Sequence, residues 1–249
     1  MTLDGLQPTI LLPALVAGLL VLATHIPLGR EVLRRGIIFI DLAIAQIAGL
    51  GIVIASALGF EVGGWRAQVS AVIAALAGAL CLRWMERKTP EHLEAVIGVS
   101  FVAAACAAIV VMSHDPHAGE HLRELLVGQI LWTTWGGLVP LAGVTALTLA
   151  GWFGLRWRNS PLGFYLLFAI TITASVQVVG VYLVFASLIV PALAAGGRLI
   201  RAGAIGSAGY VLGLLASGLF DLPAGAAIVL ALVGVATLGG KAAPKIEHR

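Results

Sequence analysis

The sequence predicts an all-α, polytopic transmembrane helix bundle of about eight or nine spans. Composition is the first reason: of 249 residues, 60% are hydrophobic and 11% charged, and the mean hydropathy is +1.03. Soluble domains carry about 25% charged residues, and their surface must still face water. A soluble fold of this size could not hide so much apolar surface, whereas lipid accommodates it. The second reason is a succession of apolar runs of spanning length, and the third is the placement of basic residues in alternate connections. A net charge of +3 is too small to point to nucleic acid.

The spans follow from runs of about 17–25 apolar residues, enough to cross ~30 Å of hydrocarbon. Residues 1–8 hold Asp4 and no Lys or Arg, a poor signal-peptide leader, so the run at 10–28 reads as a retained first helix. Further runs cover 37–58, 67–85, 93–112 and 136–155. The stretch 162–193 reads as two spans broken near Gln177–Gly180, and 204–219 and 223–239 complete the set. One piece could be a half-helix or re-entrant segment, since irregular backbone is tolerated at membrane depth when buried in protein. No linker or soluble segment interrupts the chain, so residues 1–249 are expected to form a single transmembrane domain.

Charge sets the expected orientation. Arg30, Arg34 and Arg35 fall in the first connection, Arg83, Arg87 and Lys88 in the third, and Arg156 and Arg158 in the fifth. Arg198 and Arg201 follow the seventh span, and Lys241, Lys245 and Arg249 form the tail, with Arg66 and Arg123 alone on the opposite side. By the positive-inside rule the N-terminus lies outside and the C-terminus in the cytoplasm. Trp65, Trp84, Trp132, Trp135 and Trp157 sit near predicted span ends, where amphipathic rings favour the interface. The 31 glycines lie mostly within or beside spans and allow close helix approach. Cys81 and Cys106 lie in apolar runs and read as small packing side chains.

Four features could carry chemistry. Asp41 lies one turn into the second run; an acid there reads as an ion-pathway or gating group, or as an interfacial carboxylate paired with Arg34 or Arg35. Gln46, one turn further, is offset by about 140° around the helix, so the two cannot chelate together without a kink. The predicted outer loop carries His114, Asp115, His117, Glu120 and His121. Imidazole and carboxylate are ligands of zinc, manganese and iron, but no fixed spacing separates a metal site from a solvated polar loop. Asp221, before Pro223, reads as the cap of the last span. Pro191, near the inner end of its span and followed by small residues, Arg198 and Arg201, suggests a bend and a short helix able to dock a cytoplasmic partner.

No His-Glu-x-x-His, no nucleophile elbow and no complete phosphate-binding loop occurs; Leu238-Gly239-Gly240-Lys241 lacks the upstream glycine and the following Ser or Thr. The chain is therefore read as a transport subunit and not an enzyme, with ATP hydrolysis left to another subunit.

Five blocks in order resemble the permease subunits of metal-importing ABC transporters, the ABC-3 family of zinc and manganese uptake permeases. They are Pro27-Leu28-Gly29 with Arg34-Arg35 and Asp41, Glu94-Ala95-Val96-Ile97-Gly98, and Leu126-Val127-Gly128-Gln129-Ile130-Leu131. Val179-Gly180 through Ser187-Leu188-Ile189-Val190-Pro191-Ala192 with Arg198, and Asp221-Leu222-Pro223-Ala224-Gly225, complete the series. Two positions depart from the family pattern: Ala45 stands where a histidine follows the acid by four residues, and Gln129 where an acid is usual.

The resemblance implies a type II ABC importer permease fold, homodimeric in a prokaryotic plasma (inner) membrane. It also implies a cytoplasmic ABC ATPase docked on the segment after Pro191, and an extracytoplasmic metal-binding protein delivering the ion near His114–His121. A divalent transition metal (zinc, manganese or iron) is then the substrate, and no tightly bound cofactor is expected. A siderophore, haem or cobalamin permease, usually a longer chain, is the nearer alternative. A self-sufficient secondary transporter is the farther one, since only one broken helix is visible where an internal repeat would give two.

Overall fold

A computed structural model describes residues 7–61, 64–114 and 128–239. Among them are nine α-helices and no strand: α1 (Pro8–Arg35), α2 (Ile40–Ala57), α3 (Trp65–Lys88), α4 (Leu93–Val111), α5 (Trp135–Leu149), α6 (Pro161–Val179), α7 (Val181–Ala194), α8 (Leu199–Phe220) and α9 (Ala224–Gly239). A π-helical turn, Ala150–Gly154, prolongs α5. Seven of the helical segments are long and apolar enough to cross a membrane. The 14 residues of α7 and 16 of α9 reach about 21 and 24 Å at 1.5 Å per residue, short of a full hydrocarbon core. The all-helical transmembrane fold expected from the sequence is what the chain adopts.

The break expected near Gln177–Gly180 is a single residue. Gly180 has φ +80°, a conformation that L side chains resist, and it ends α6 and opens α7. Helix ends differ from the apolar runs elsewhere. Gly36, at φ +69°, closes α1, and α2 begins only at Ile40, which puts Asp41 in its first turn and not one turn inside it. No separate short helix follows Pro191. That proline lies within α7, Gly196 and Gly197 turn the chain at φ +57° and +83°, and α8 then begins at Leu199, five residues before its predicted start.

Asp221 also departs from expectation. It caps the C-terminus of α8 with φ +53°, its amide donating to the Ser217 carbonyl, because a short polar side chain tolerates the left-handed region. The Ser217 hydroxyl donates to the Leu222 carbonyl at 2.7 Å, reinforcing that stop. Cys81 and Cys106 are exposed on this chain and not packed within it. The five tryptophans are exposed at or near helix ends, as the interface reading requires.

The chain divides into two compact units, each drawn from separate segments. The first comprises residues 1–35, 126–145 and 178–249. Here α1 packs on α7 and α8 through small residues. A Cβ on Gly18 would lie 2.2 Å from the Tyr210 ring, one on Gly29 would lie 2.0 Å from the Leu188 carbonyl oxygen, and one on Gly206 would lie 2.7 Å from Leu22. On α8, Gly209 and Gly213 admit Leu232 and Ile228 of α9 in the same way. Such close approach is how helices associate where lipid removes the hydrophobic incentive. The buried Ser187 and Tyr210 hydroxyls bond at 2.8 Å and add a polar clasp between α7 and α8. Gly128 comes so near the Val179–Gly180 peptide that a Cβ there would lie 2.2 Å from the Val179 carbonyl carbon.

The second unit comprises residues 36–125 and 146–177. On α3, Ala67, Ala71, Ala75 and Ala79 recur every fourth residue and are wholly buried. Beside them Gly51 of α2 sits 2.8 Å (as a Cβ) from Ala74, and Ser70 Oγ donates to the Gly51 carbonyl at 2.7 Å. Val53 of α2 meets Ala108 of α4 and Met112 just beyond it. The end of α5 and its π-turn join α6 through a Thr148–Thr171 hydroxyl bond of 2.8 Å and the rings of Trp152 and Phe164, 6.4 Å apart.

Candidate functional site

The strongest candidate lies at the start of α2. Asp41 is 1% exposed, and neither carboxylate oxygen has a hydrogen-bond partner among the described residues. Its neighbours along the helix, Ile40, Ile44 and Ala45, and Ile37 just before it, are buried and apolar. Glu31 takes both arginines, with Arg34 Nη2 at 2.5 Å and Arg35 Nε at 2.7 Å. An unpaired buried carboxylate is costly, and in a membrane span it marks a functional group by default. The first-turn N–H groups and positive dipole end of α2 lower that cost without supplying a cation.

One tie to the start of α2 comes from α4. Glu94, in the first turn of α4, accepts the Phe39 amide at 3.4 Å through Oε1, while its buried Oε2 has no hydrogen-bond partner among the described residues. Phe39 is the residue immediately preceding α2. Sequence reading placed Glu94 only as part of a family block, and nothing in the local spacing announces its bond 55 residues away. Gln46 is half-buried on the same uninterrupted helix as Asp41, so the kink needed to bring the two together does not form. Ala45, on Asp41's face one turn on, offers no ligand atom.

Asp115, His117, Glu120 and His121 lie outside the described residues, and of His114 only the backbone, closing a 3-10 turn at Met112–His114, is described. Among the described residues no three or more His, Cys, Asp or Glu side chains gather as a metal-holding group. Of the proposed coupling residues, Pro191 is buried in α7, and Arg198 is the exposed residue preceding α8. Arg201, in the first turn of α8, donates to the Gly239 carbonyl at 2.5 Å and so tethers the last residue of α9.

One polar group escaped the sequence reading. His25 of α1 is fully buried; its Nδ1 lies 3.2 Å from Thr24 Oγ1, and its Nε2 has no partner among the described residues. The signal was there, since an ionisable residue inside an apolar run is as anomalous at His25 as at Asp41.

Comparison with known proteins fits this architecture. "Manganese transport system membrane protein MntC" of Listeria monocytogenes is 24% identical over 270 aligned positions, covering 98% of this chain and 94% of that protein. The protein of the same name from Halalkalibacterium halodurans is 26% identical over 243, covering 87% and 82%. Among solved structures, "PsaBC from Streptococcus pneumoniae in complex with Fab" superposes with a TM-score of 0.73 at 23% identity, covering 97% of this chain and 95% of that one, which establishes a shared fold. The model of the ABC 3 transport family matches residues 7–160 and 147–239. With nearly the whole chain so matched, and with five sequence blocks in the family's order, this integral membrane protein belongs to the ABC 3 transport family.

Proposed function

We propose that this chain is the permease subunit of an ATP-driven importer of a divalent transition metal, with manganese the first ion to test ahead of zinc and iron. One observation carries the reading: a carboxylate, Asp41, buried within an apolar helix and without a hydrogen-bond partner among the described residues. Family membership and the printed names of the manganese-transport relatives support the same substrate class. In this reading Asp41 lies on the transport pathway, reached from an outer metal-binding protein that delivers near His114–His121.

The permease works as a homodimer in a prokaryotic plasma membrane, N-terminus outside and C-terminus in the cytoplasm. A separate cytoplasmic ABC ATPase docks beside Arg198. ATP binding then favours one access state and metal the other, and that difference in preference is what couples them.

The test is uptake of each metal separately into proteoliposomes holding this chain, its ATPase and its binding protein, with and without ATP. ATP-dependent accumulation of manganese that is lost in Asp41→Asn, with assembly intact, is the expected result. Accumulation of a metal chelate but of no free metal would replace this reading with the siderophore-type permease. Normal uptake by Asp41→Asn would return Asp41 to a structural role.

A further inference from the structure

We propose that the C-terminal end of α3 is a binding site for an anionic phospholipid, its phosphate held by Arg83, Arg87 and Lys88 around the Trp84 ring. The inference is independent of which ion the chain carries.

The outward face of α3 sets the height of the site. Trp65, Val69, Ile73, Leu80 and Trp84 are all exposed, and at about 100° per residue they share one arc of roughly 100°, across the helix from the buried Ala67, Ala71, Ala75 and Ala79. The two tryptophans at the ends of this stripe lie about 28 Å apart along the axis, close to the ~30 Å of a hydrocarbon core. Each ring therefore falls at a bilayer interface, where tryptophan prefers to sit.

Charge gathers at one end of that stripe. Arg83, Arg87 and Lys88 all lie within about 100° of Trp84 around the helix. Lys88 Nζ stands 5.5 Å from the centre of the Trp84 ring, a cation–π contact that keeps an ammonium at headgroup height. Arg87 is exposed; Arg83 is half-buried, its Nη1 enclosed and without a hydrogen-bond partner among the described residues. None of the three forms an ion pair among the described residues, whereas Arg34 and Arg35 are engaged by Glu31 and Arg201 by the Gly239 carbonyl. The acids nearest in sequence do not share the face. Glu86 falls on the side of the buried alanines, and Glu91 lies beyond α3 in the turn before α4.

Three cations around one phosphodiester select by headgroup charge. The planar arginine fork matches two phosphate oxygens, and lysine adds a point charge. A glycerol headgroup leaves the lipid a net anion, whereas the ammonium of an ethanolamine headgroup would meet like charge. A second copy of this chain seated face to face here would set three more cations against these three, so the charge favours lipid over self-association as the cover for this end of the stripe.

The experiment is native mass spectrometry of the full chain released from detergent micelles doped with phosphatidylglycerol or phosphatidylethanolamine, with inorganic phosphate as competitor. Wild type should retain phosphatidylglycerol at least tenfold more tightly than phosphatidylethanolamine. Arg87→Gln and Lys88→Gln should each weaken that retention about fivefold, the pull of roughly one surface cation on an anionic lipid. Arg66→Gln removes a cation from the other end of α3, where the guanidinium lies over the Phe60 and Trp65 rings, and should leave retention unchanged. A photo-crosslinkable phosphatidylglycerol needs no variant and should label the stretch Leu80–Lys88. Equal retention of the two lipids, labelling confined to other segments, or an equal loss in Arg66→Gln and Arg87→Gln would overturn the proposal. Displacement of the lipid by equimolar inorganic phosphate would overturn it in favour of a soluble anion. Intact lipid retention in Arg87→Gln with lost ATPase co-elution would give the face to the ATPase instead.

Discussion

Gly29→Ala should be among the most damaging single-methyl additions in the first unit. A Cβ at Gly29 would lie 2.0 Å from the Leu188 carbonyl oxygen, whereas carbon and carbonyl oxygen rest at about 3.3–3.6 Å. The obstacle is backbone, so no rotamer change relieves it, and α1 and α7 must part locally by roughly 1.3–1.6 Å, the difference between those distances. Overpacking of this kind costs about 1–3 kcal/mol. Here the rigid obstacle argues for the upper end, offset by about 0.5–1 kcal/mol because alanine favours helix over glycine. The net is about 2 kcal/mol, roughly a thirtyfold shift in the folding equilibrium.

Gly98→Ala is the control. It is the same substitution in α4, where a Cβ would meet nothing within 4 Å, so only the helix term operates and stability should hold or rise slightly. Heating both variants in detergent and following the monodisperse fraction by fluorescence-detected size exclusion gives the comparison. Equal loss temperatures for Gly29→Ala, Gly98→Ala and wild type would refute the claim that the α1–α7 contact depends on the missing side chain.

Two more outcomes follow from single contacts. Tyr210→Phe and Ser187→Ala should each lower thermal stability by about 1–3 kcal/mol, since each strands the other's buried hydroxyl, and the double variant should cost less than the sum; strict additivity would show the 2.8 Å bond to be inert. Arg198→Ala and Arg201→Ala should separate cleanly. Loss of exposed Arg198 should weaken co-elution with the ATPase without lowering stability, while loss of Arg201, which holds the Gly239 carbonyl, should lower stability more than docking; identical behaviour would end that division of roles.

Much of this architecture is legible in the residue order because lipid imposes simple rules. Runs of apolar residues had to become helices, and a glycine in the middle of an apolar stretch of 32 residues, 162–193, had to mark a break. Asp41 stood out for the same reason. Helix ends were less legible. Ile37, Ile38 and Phe39 are as apolar as the helix they precede, so hydropathy could not reveal that Gly36 sets the chain direction and delays α2 to Ile40. Asp221 was read from the proline after it, while the backbone used it to finish the helix before it. The partners of the charged groups were invisible for a different reason. Glu31 could have been matched to Arg34 and Arg35 by helical spacing alone, but the reach of Glu94 to Phe39 is a tertiary fact with no local signature.

The alanine stripe of α3 has a thermodynamic consequence of its own. Burying a leucine or methionine against another helix freezes rotamers at about 0.5–2 kcal/mol each, whereas alanine has none to freeze. In water that loss is outweighed by apolar burial, but in hydrocarbon a methyl group exchanges one apolar neighbour for another and gains little by moving. Ala67, Ala71, Ala75 and Ala79, all fully enclosed, therefore let α3 settle into its seam with no side-chain disorder surrendered. The cohesion of that seam rests as much on entropy never lost as on attraction gained.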